Sequence, residues 1–405
     1  MIDLRKLINI YNRYGFRHEN TSTGNVAVFT IRSGYFHNAD IIPLDNKCDT
    51  DTVLNEFNKA GYACTVRDYK DVVDVEESLF EGFFTANTTK DNLAKEYKRF
   101  TDNILSVYAD KASYNYIQSK YYINEKKGET DVISEITSRM DKPKPVLFLI
   151  EAAAGYGKTC TAYELLNTLI QDDTNEVPLF AELHKNMGAN IFRYVLLDEI
   201  DTSFPTLNSS LVNIEITNGN VPVLLDGFDE LLHSSNDSEG YENTEPMLET
   251  IGSLLQKKAK VILTTRRTAI FDGDEFHEWI ESHSEDFEVI RFKLIEPTVQ
   301  EWLEGDRYKN LIKAEFPIEK LSNPVLLSYL RCIPNEDFQA AIENQDEIVN
   351  KYFSTMLDRE RTRQDLPMNP QNQYKILKTI ANDMVENNYT STSREHIICR
   401  SSDLI

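Results

Sequence analysis

The sequence has no run near the roughly 18 uncharged apolar residues that a membrane-spanning helix needs. Its best stretch, Val146 to Ala154, is short and carries Glu151. Cysteine is sparse: Cys48, Cys64, Cys160, Cys332 and Cys399 form no CxxC pair, and the seven histidines are equally scattered. Neither a disulfide framework nor a zinc spacing is present, and a reduced cytoplasm is the expected setting. Positive charge is short, with 43 Lys+Arg against 66 Asp+Glu for a net of −23. Such an average surface repels duplex DNA and anionic headgroups, so neither nucleic acid nor a membrane is expected as a partner. The opening MIDLRKLINIYNRYGF has an acid at Asp3 and no small-residue cleavage site, so it does not read as a signal peptide. Internal repeats and low-complexity tracts are also missing.

What is present is globular: 405 residues, 41% apolar and 10% aromatic, enough for two or three domains. Residues 1–75 read as a small α/β domain. Asn25–Arg32 and Ala39–Leu44 are β-rich runs, Asp51–Ala60 has helical spacing, and Tyr62–Arg67 is strand-like. Residues 76–141 read as a mostly helical linker region. Tyr114, Tyr116, Tyr121 and Tyr122 there suit helix packing better than base stacking. The prolines of Lys142–Pro145 stop any helix. Over 142–294 apolar strands alternate with helices: Val146–Ile150, Val177–Leu183, Val221–Leu225 and Val261–Thr265 are the strands. That pattern predicts an α/β fold, a parallel sheet with helices on both faces. From 295 to 405 the pattern is helical, with candidates at Val299–Gly305, Pro324–Arg331, Asp346–Arg361 and Gln373–Val385.

Chemistry concentrates in the middle region. Directly after its first strand comes Ala152-Ala153-Ala154-Gly155-Tyr156-Gly157-Lys158-Thr159, which fits the phosphate-loop template GxxxxGK[ST] except at Ala152. Glycines let backbone N–H groups converge on phosphate oxygens, and the following helix adds its positive end. Ala154, Gly155, Tyr156, Gly157, Lys158, Thr159 and Cys160 are the expected nucleotide contacts, with Lys158 on the outer phosphates and Thr159 on Mg²⁺. Alanine at 152 resists positive φ, which bears on the tightness of the opening turn. The strand Val221–Leu225 delivers Asp226-Gly227-Phe228-Asp229-Glu230. Asp226 is the expected metal acid, and Asp229 and Glu230 stand where a carboxylate orients or deprotonates an attacking water. A further strand ends in Thr264-Thr265-Arg266-Arg267, able to aim Thr265 and Arg266 at a γ-phosphate.

Together these elements resemble the NACHT family, a branch of the STAND class of signalling P-loop ATPases. AAAGYGKT is similar to its phosphate loop, DGFDE to its acidic signature and Thr264-Thr265-Arg266 to its sensor strand. Val177–Leu183 resembles its second strand, and Asn323-Pro324-Val325-Leu326-Leu327 its helical-lobe proline motif. The likeness spans about residues 120–395. Ala152 and Arg267, where glycine and proline are usual, are departures. The resemblance implies ATP/ADP and Mg²⁺ as cofactors, with Lys158 and Thr159 on phosphates and metal and Asp226 as the Mg²⁺ acid. Asp229, Glu230 and Arg266 become the catalytic group, and Pro324 lies near the adenine. It implies a switch with slow Mg-dependent hydrolysis, nucleotide-controlled self-association into a homo-oligomer, and a trigger or sensor partner that the sequence does not identify. Residues 351–405 resemble the approach to a winged helix, cut short. In bacteria similar proteins serve in antiphage defence.

Two other readings stay open. One is a scaffold that holds nucleotide without hydrolysing it; the other is the same switch joined to an N-terminal nuclease-like effector. For the latter, Asp40 and Asp68-Tyr69-Lys70 formally give D…DxK, the spacing of PD-(D/E)xK nucleases. Against it, a helix intervenes between the two strands, and charges are plentiful around Asp71 and Asp74, so the triplet is a weak signal and reads better as a solvated strand end.

Overall fold

A computed structural model describes residues 2–391 except 22–23, 46–47, 106–112, 154, 173, 184–191, 230–243, 267–273, 316–323, 345–349, 351, 355, 359–360, 362–366 and 390, and omits the side chains at 33, 244–246 and 325. The chain divides into two units. The first holds Met1–Glu96, Tyr121–Ala153 and Lys158–Leu294, and the second Tyr97–Lys120, Ala154–Gly157 and Ile295–Ile405.

The first unit opens with α1 (Leu4–Arg13), capped by the Asp3 carboxylate on the Arg5 N–H. An antiparallel meander follows, β1 (Arg17–Glu19), β2 (Val26–Ser33) and β3 (Phe36–Pro43). Helix α2 (Thr50–Lys59), capped by Asp49, then returns the chain so that β4 (Ala63–Val66) pairs parallel with β3. The predicted intervening helix is therefore a crossover that makes the two strands neighbours. Period-two alternation splits the sheet's side chains. Val26, Val28, Ala39 and Ile41 pack with Val53 of α2, while Ala27, Phe29 and Ile42 face Tyr11 and a larger core. Helix α3 (Val72–Phe84) follows, and then α4 (Ala86–Leu105), whose residues up to Glu96 belong to this unit and from Tyr97 on to the second.

The second sheet runs in the order β6-β5-β11-β7-β10-β9-β8. Its parallel members are β7 (Val146–Glu151), β8 (Leu179–Glu182), β9 (Val223–Asp226), β10 (Lys260–Thr265) and β11 (Glu288–Leu294). Helix α5 (Val132–Thr137) precedes them, and the helices between them are α6 (Lys158–Gln171), α7 (Phe192–Ser203), α8 (Ser209–Asn218), α9 (Thr244–Leu254) and α10 (Asp274–Ser282). The expected linker region is only partly helical. Residues 121–127 form β5 (Tyr121–Ile123) and β6 (Lys126–Lys127), and β5 runs antiparallel to β11. Asn124 and Glu125 turn the hairpin at φ 48° and 65°, the geometry of a two-residue I′ turn. Tyr121 buries its ring edge-on against Phe292, centroids 5.2 Å apart, so its packing is that of a strand.

Residues 1–96 share one core with this sheet. Phe84 meets Phe204 edge to face at 5.3 Å, and the Tyr14 hydroxyl donates to the buried Glu215 carboxylate at 3.1 Å. At the start of β10, Lys260 is 2% exposed. Its ammonium donates to the carbonyls of Lys142 (2.8 Å), Lys144 (3.2 Å) and Lys258 (2.7 Å). Burial pushes its pKa down to about 8. The unfolded amine titrates near 10.4, so between these values the unfolded chain binds more protons and stability rises with pH. Below pH 8 the amine is charged in both states and the burial penalty is felt in full. Relative to Lys260→Met, the wild type should gain about 2 kcal/mol between pH 7.5 and pH 10. Paired denaturant titrations at the two pH values measure it, and parallel behaviour of the two proteins would contradict it.

In the second unit, α11 (Val299–Lys313) starts with a capping box between Thr298 and Glu301. It continues past the predicted end at Gly305, after a break at Glu304 with φ 47°. Helices α12 (Pro324–Cys332), α13 (Asn335–Glu343) and α14 (Pro370–Glu386) follow. Leu303, Leu311, Leu326, Leu327, Leu330 and Phe338 form their core. Arg307 ties the end of α12 by donating to the carbonyls of Leu330 and Ile333. Much of the predicted helix Asp346–Arg361 and nearly all of 390–405 lie outside the described residues.

Candidate functional site

The phosphate-loop glycines need the freedom only glycine has. Gly155 sits at φ 84° and Gly157 at φ 82°, in the left-handed region that a Cβ penalises. Ala152 does not: it extends β7, its N–H donating to the Thr265 carbonyl at 3.2 Å, so alanine is at no disadvantage there. Ala154 lies outside the described residues. Lys158 opens α6 and holds its ammonium on the carbonyls of Ala152 (3.2 Å) and Ala153 (3.4 Å). Cys160 follows, half-buried, in the first turn of α6.

At the end of β9 Asp226 is 4% exposed. Burial pushes its carboxyl above the ordinary range; hydrogen bonds from Thr264 and Thr159 oppose this, Glu182 adds to it, and the Lys158 charge opposes it. Gly227 turns the chain at φ 80° and donates its N–H to the Thr264 hydroxyl at 2.9 Å. The glycine of DGFDE is therefore required by the backbone. Phe228 is buried against the edge of Phe192. Asp229, 2% exposed, accepts from the Arg266 backbone N–H at 2.9 Å and pairs with the Arg266 Nε at 3.0 Å. Asp229 and Arg266, both expected in the catalytic group, thus come together, and the carboxylate is engaged by the guanidinium. Glu230 and Arg267 lie outside the described residues. Thr265 does not share the sensor role expected for it: fully buried, its hydroxyl donates to the Arg266 carbonyl, and Thr264 reaches Asp226 instead.

In the second unit the loop glycine and the predicted proline meet. A Cβ on Gly155 would stand 3.0 Å from Pro324 Cγ, and the Tyr156 hydroxyl donates to Glu296 at 2.9 Å.

Lys158, Thr159 and Asp226 make a fitting donor set for a Mg²⁺–phosphate group. A hydroxyl already oriented by a buried carboxylate supplies hard oxygen, and an adjacent ammonium supplies the counter-charge for phosphate. Two residues near this set were not legible in the sequence. Glu182, at the end of β8, stands directly opposite Asp226 in the parallel register, and Tyr163 of α6 hydrogen-bonds to Glu182. Only the strand pairing reveals them.

The D…DxK residues are not assembled. Asp40 is buried on β3, accepts from the Tyr11 hydroxyl at 3.2 Å and faces Arg67 Nε at 3.4 Å, while burial raises its carboxyl above the usual range. Its cross-strand neighbours are Phe29 and Thr65, and Ile42, two residues on and on the same face, is fully buried. Asp68 and Lys70 are exposed beyond the end of β4, with the Lys70 N–H on Asp74 at 3.0 Å. One carboxylate held by a tyrosine hydroxyl and an arginine does not make a catalytic metal site. Among the described residues no group of three or more His, Cys, Asp or Glu is placed to hold a metal ion, and no helix is long and apolar enough to cross a membrane.

No curated protein matches the chain. A solved structure described as a DNA replication initiation factor aligns with a TM-score of 0.29 and 13% identity, over 67% of this chain and 74% of that one, a likeness that assigns no role. The family model described as NACHT-associated inactive Restriction Endonuclease 2 matches residues 6–124, which include the β1–β4 sheet with α3 and α4. Those residues are thus similar to a domain described as an inactive restriction endonuclease.

Proposed function

We propose that the chain is an ATP-binding signalling switch of the NACHT type, carrying a catalytically silent nuclease-like domain at residues 6–124. The observation that carries it is the convergence of Thr159 and Thr264 on the buried Asp226, with Lys158 beside them. The name of the matching family supports the reading, since it describes domains associated with NACHT modules. In this reading Lys158 and the N–H groups around Gly155 and Gly157 bind the phosphates, and Thr159 with Asp226 holds the metal shell. Bound Mg²⁺ would neutralise charge on the outer phosphates. Pro324 and Glu296, through Gly155 and Tyr156, tie the loop to the helical lobe, so the lobe responds to what the loop holds. Self-association, an unidentified trigger and a role in defence complete the proposal.

The pairing of Asp229 with Arg266 favours a resting state that keeps nucleotide and hydrolyses it slowly, because the carboxylate facing that end of the sheet is already engaged. Native mass spectrometry of the purified chain, read together with phosphate release, tests the proposal. The expected result is stoichiometric ADP or ATP carry-over with turnover that Asp226→Asn abolishes. A chain that neither retains nor takes up nucleotide would overturn it. Carry-over with phosphate release at background would leave the scaffold reading instead.

A further inference from the structure

We infer that Glu182 is the second carboxylate of the cation site, a positioning residue that acts with Asp226 on the hydration shell of the nucleotide-bound metal. The inference rests on the nucleotide reading of the site and goes beyond it, since nothing in the phosphate-loop, DGFDE or sensor elements points to position 182.

Three features converge. First, β8 and β9 are parallel and in register, with Leu179 opposite Val223 and Glu182 opposite Asp226. Parallel neighbours lie about 4.8 Å apart and send opposed side chains to the same face, so the two carboxylates leave the sheet side by side at its C-terminal end. Second, α6 lays two hydroxyls over them. Thr159 and Tyr163 are four residues apart and share a helix face. Thr159 hydrogen-bonds to Asp226 and Tyr163 to Glu182, so one helix face holds two strand ends with two matching rungs. Third, Tyr163 is fixed: its ring packs on Phe180, centroids 4.7 Å apart, and Phe180 lies two residues before Glu182 on the same strand face. The helix that begins with the phosphate-binding Lys158 therefore sets the position of both acids.

Two adjacent carboxylates at a phosphate site are electrostatically self-defeating without a cation, because both repel each other and the incoming phosphates. With a hydrated divalent ion the same pair becomes an acceptor set for its waters. Asp226 has one hydroxyl on it from α6 and another from β10, so Glu182 supplies acceptor capacity that Asp226 has already committed. The competing account is a purely structural Tyr163–Glu182 hydrogen bond, which would matter for stability and not for metal.

Fluorescent ATP titrated into the full chain, in EDTA and across a Mg²⁺ series, separates the two. For Glu182→Gln the affinity in EDTA should be unchanged or higher, since a repelling charge is gone. The Mg²⁺ concentration giving half of the metal-dependent gain should rise about tenfold, the usual cost of losing an outer-shell partner. Glu182→Asp should recover most of that shift, and Tyr163→Phe should show a smaller shift in the same direction, which keeps the test available if Glu182→Gln folds poorly. A Mg²⁺ midpoint equal to wild type in folded Glu182→Gln, or affinity lost equally in EDTA and in Mg²⁺, would overturn the role of Glu182 while leaving the nucleotide site intact. Wild-type protein that binds no nucleotide in either condition would overturn the site itself.

Discussion

Lys158→Ala should weaken ATP binding by about a hundredfold or more and leave the fold standing. The amine follows two left-handed glycines, opens α6, and sits electrostatically beside Asp226. In the proposed complex it makes charge-assisted hydrogen bonds to the outer phosphates, each worth about 1.5–3 kcal/mol. Two such bonds amount to about 3–6 kcal/mol, and every 1.4 kcal/mol is tenfold in affinity. What the amine does for the protein alone is smaller, as hydrogen bonds to the carbonyls of Ala152 and Ala153 near solvent are readily replaced by water. Binding and stability should therefore separate. Fluorescent nucleotide titration beside a thermal melt measures both, and undiminished binding would remove the phosphate-loop assignment. Lys158→Arg should not rescue, because a planar fork does not replace a compact point charge in a cradle of this size.

The candidate site could be read from the sequence because its signals are local. A phosphate loop is one contiguous turn, and the positive φ of Gly155, Gly157 and Gly227 is imposed at the residues that spell the motif. The strands were legible where burial on both faces makes them continuously apolar, as in Val146–Glu151 and Val223–Asp226. They were not where charge interrupts the run. Strand β11 reads EVIRFKL, and its Arg291 and Lys293 hide a parallel partner of β7. The β5–β6 hairpin escaped because Asn124-Glu125 lacks the glycine that usually announces an I′ turn. Within the acidic stretch His233–Glu249, the residues from Thr244 on begin α9; residues 233–243 lie outside the described ones.

Register was the other limit. Asp40 stood out as a candidate, yet its meaning depends on which residues face it across the sheet, and these are Phe29 and Thr65. The triplet at 68–70, chosen by spacing alone, lies past the strand end. Glu182 is the converse: an unremarked glutamate in sequence, placed against Asp226 by a pairing that spans 44 residues of chain. Periodicity reports the face a residue occupies and not its neighbour on the next strand.

The buried ion pair beneath the phosphate loop should be the costliest contact in the sheet to break on one side. Glu151 is the last residue of β7, 1% exposed, and it is paired with Arg291 of β11, 140 positions away. The guanidinium also lies over the Phe276 ring, 5.7 Å from its centroid, so it is packed as well as charged. Removing the arginine would leave a carboxylate without its counter-charge in the sheet interior, where such losses cost about 3–5 kcal/mol. Arg291→Met should therefore lower stability by about that amount, and the nucleotide affinity with it, because the loop begins at the next residue. The charge itself is not what the fold needs, since buried pairs are often replaceable by apolar groups of similar volume. Arg291→Met combined with Glu151→Leu should accordingly recover most of the loss. Denaturant titration of the single and double variants gives the coupling. If Arg291→Met alone unfolds at the wild-type midpoint, the pair is not what anchors the strand that carries the loop.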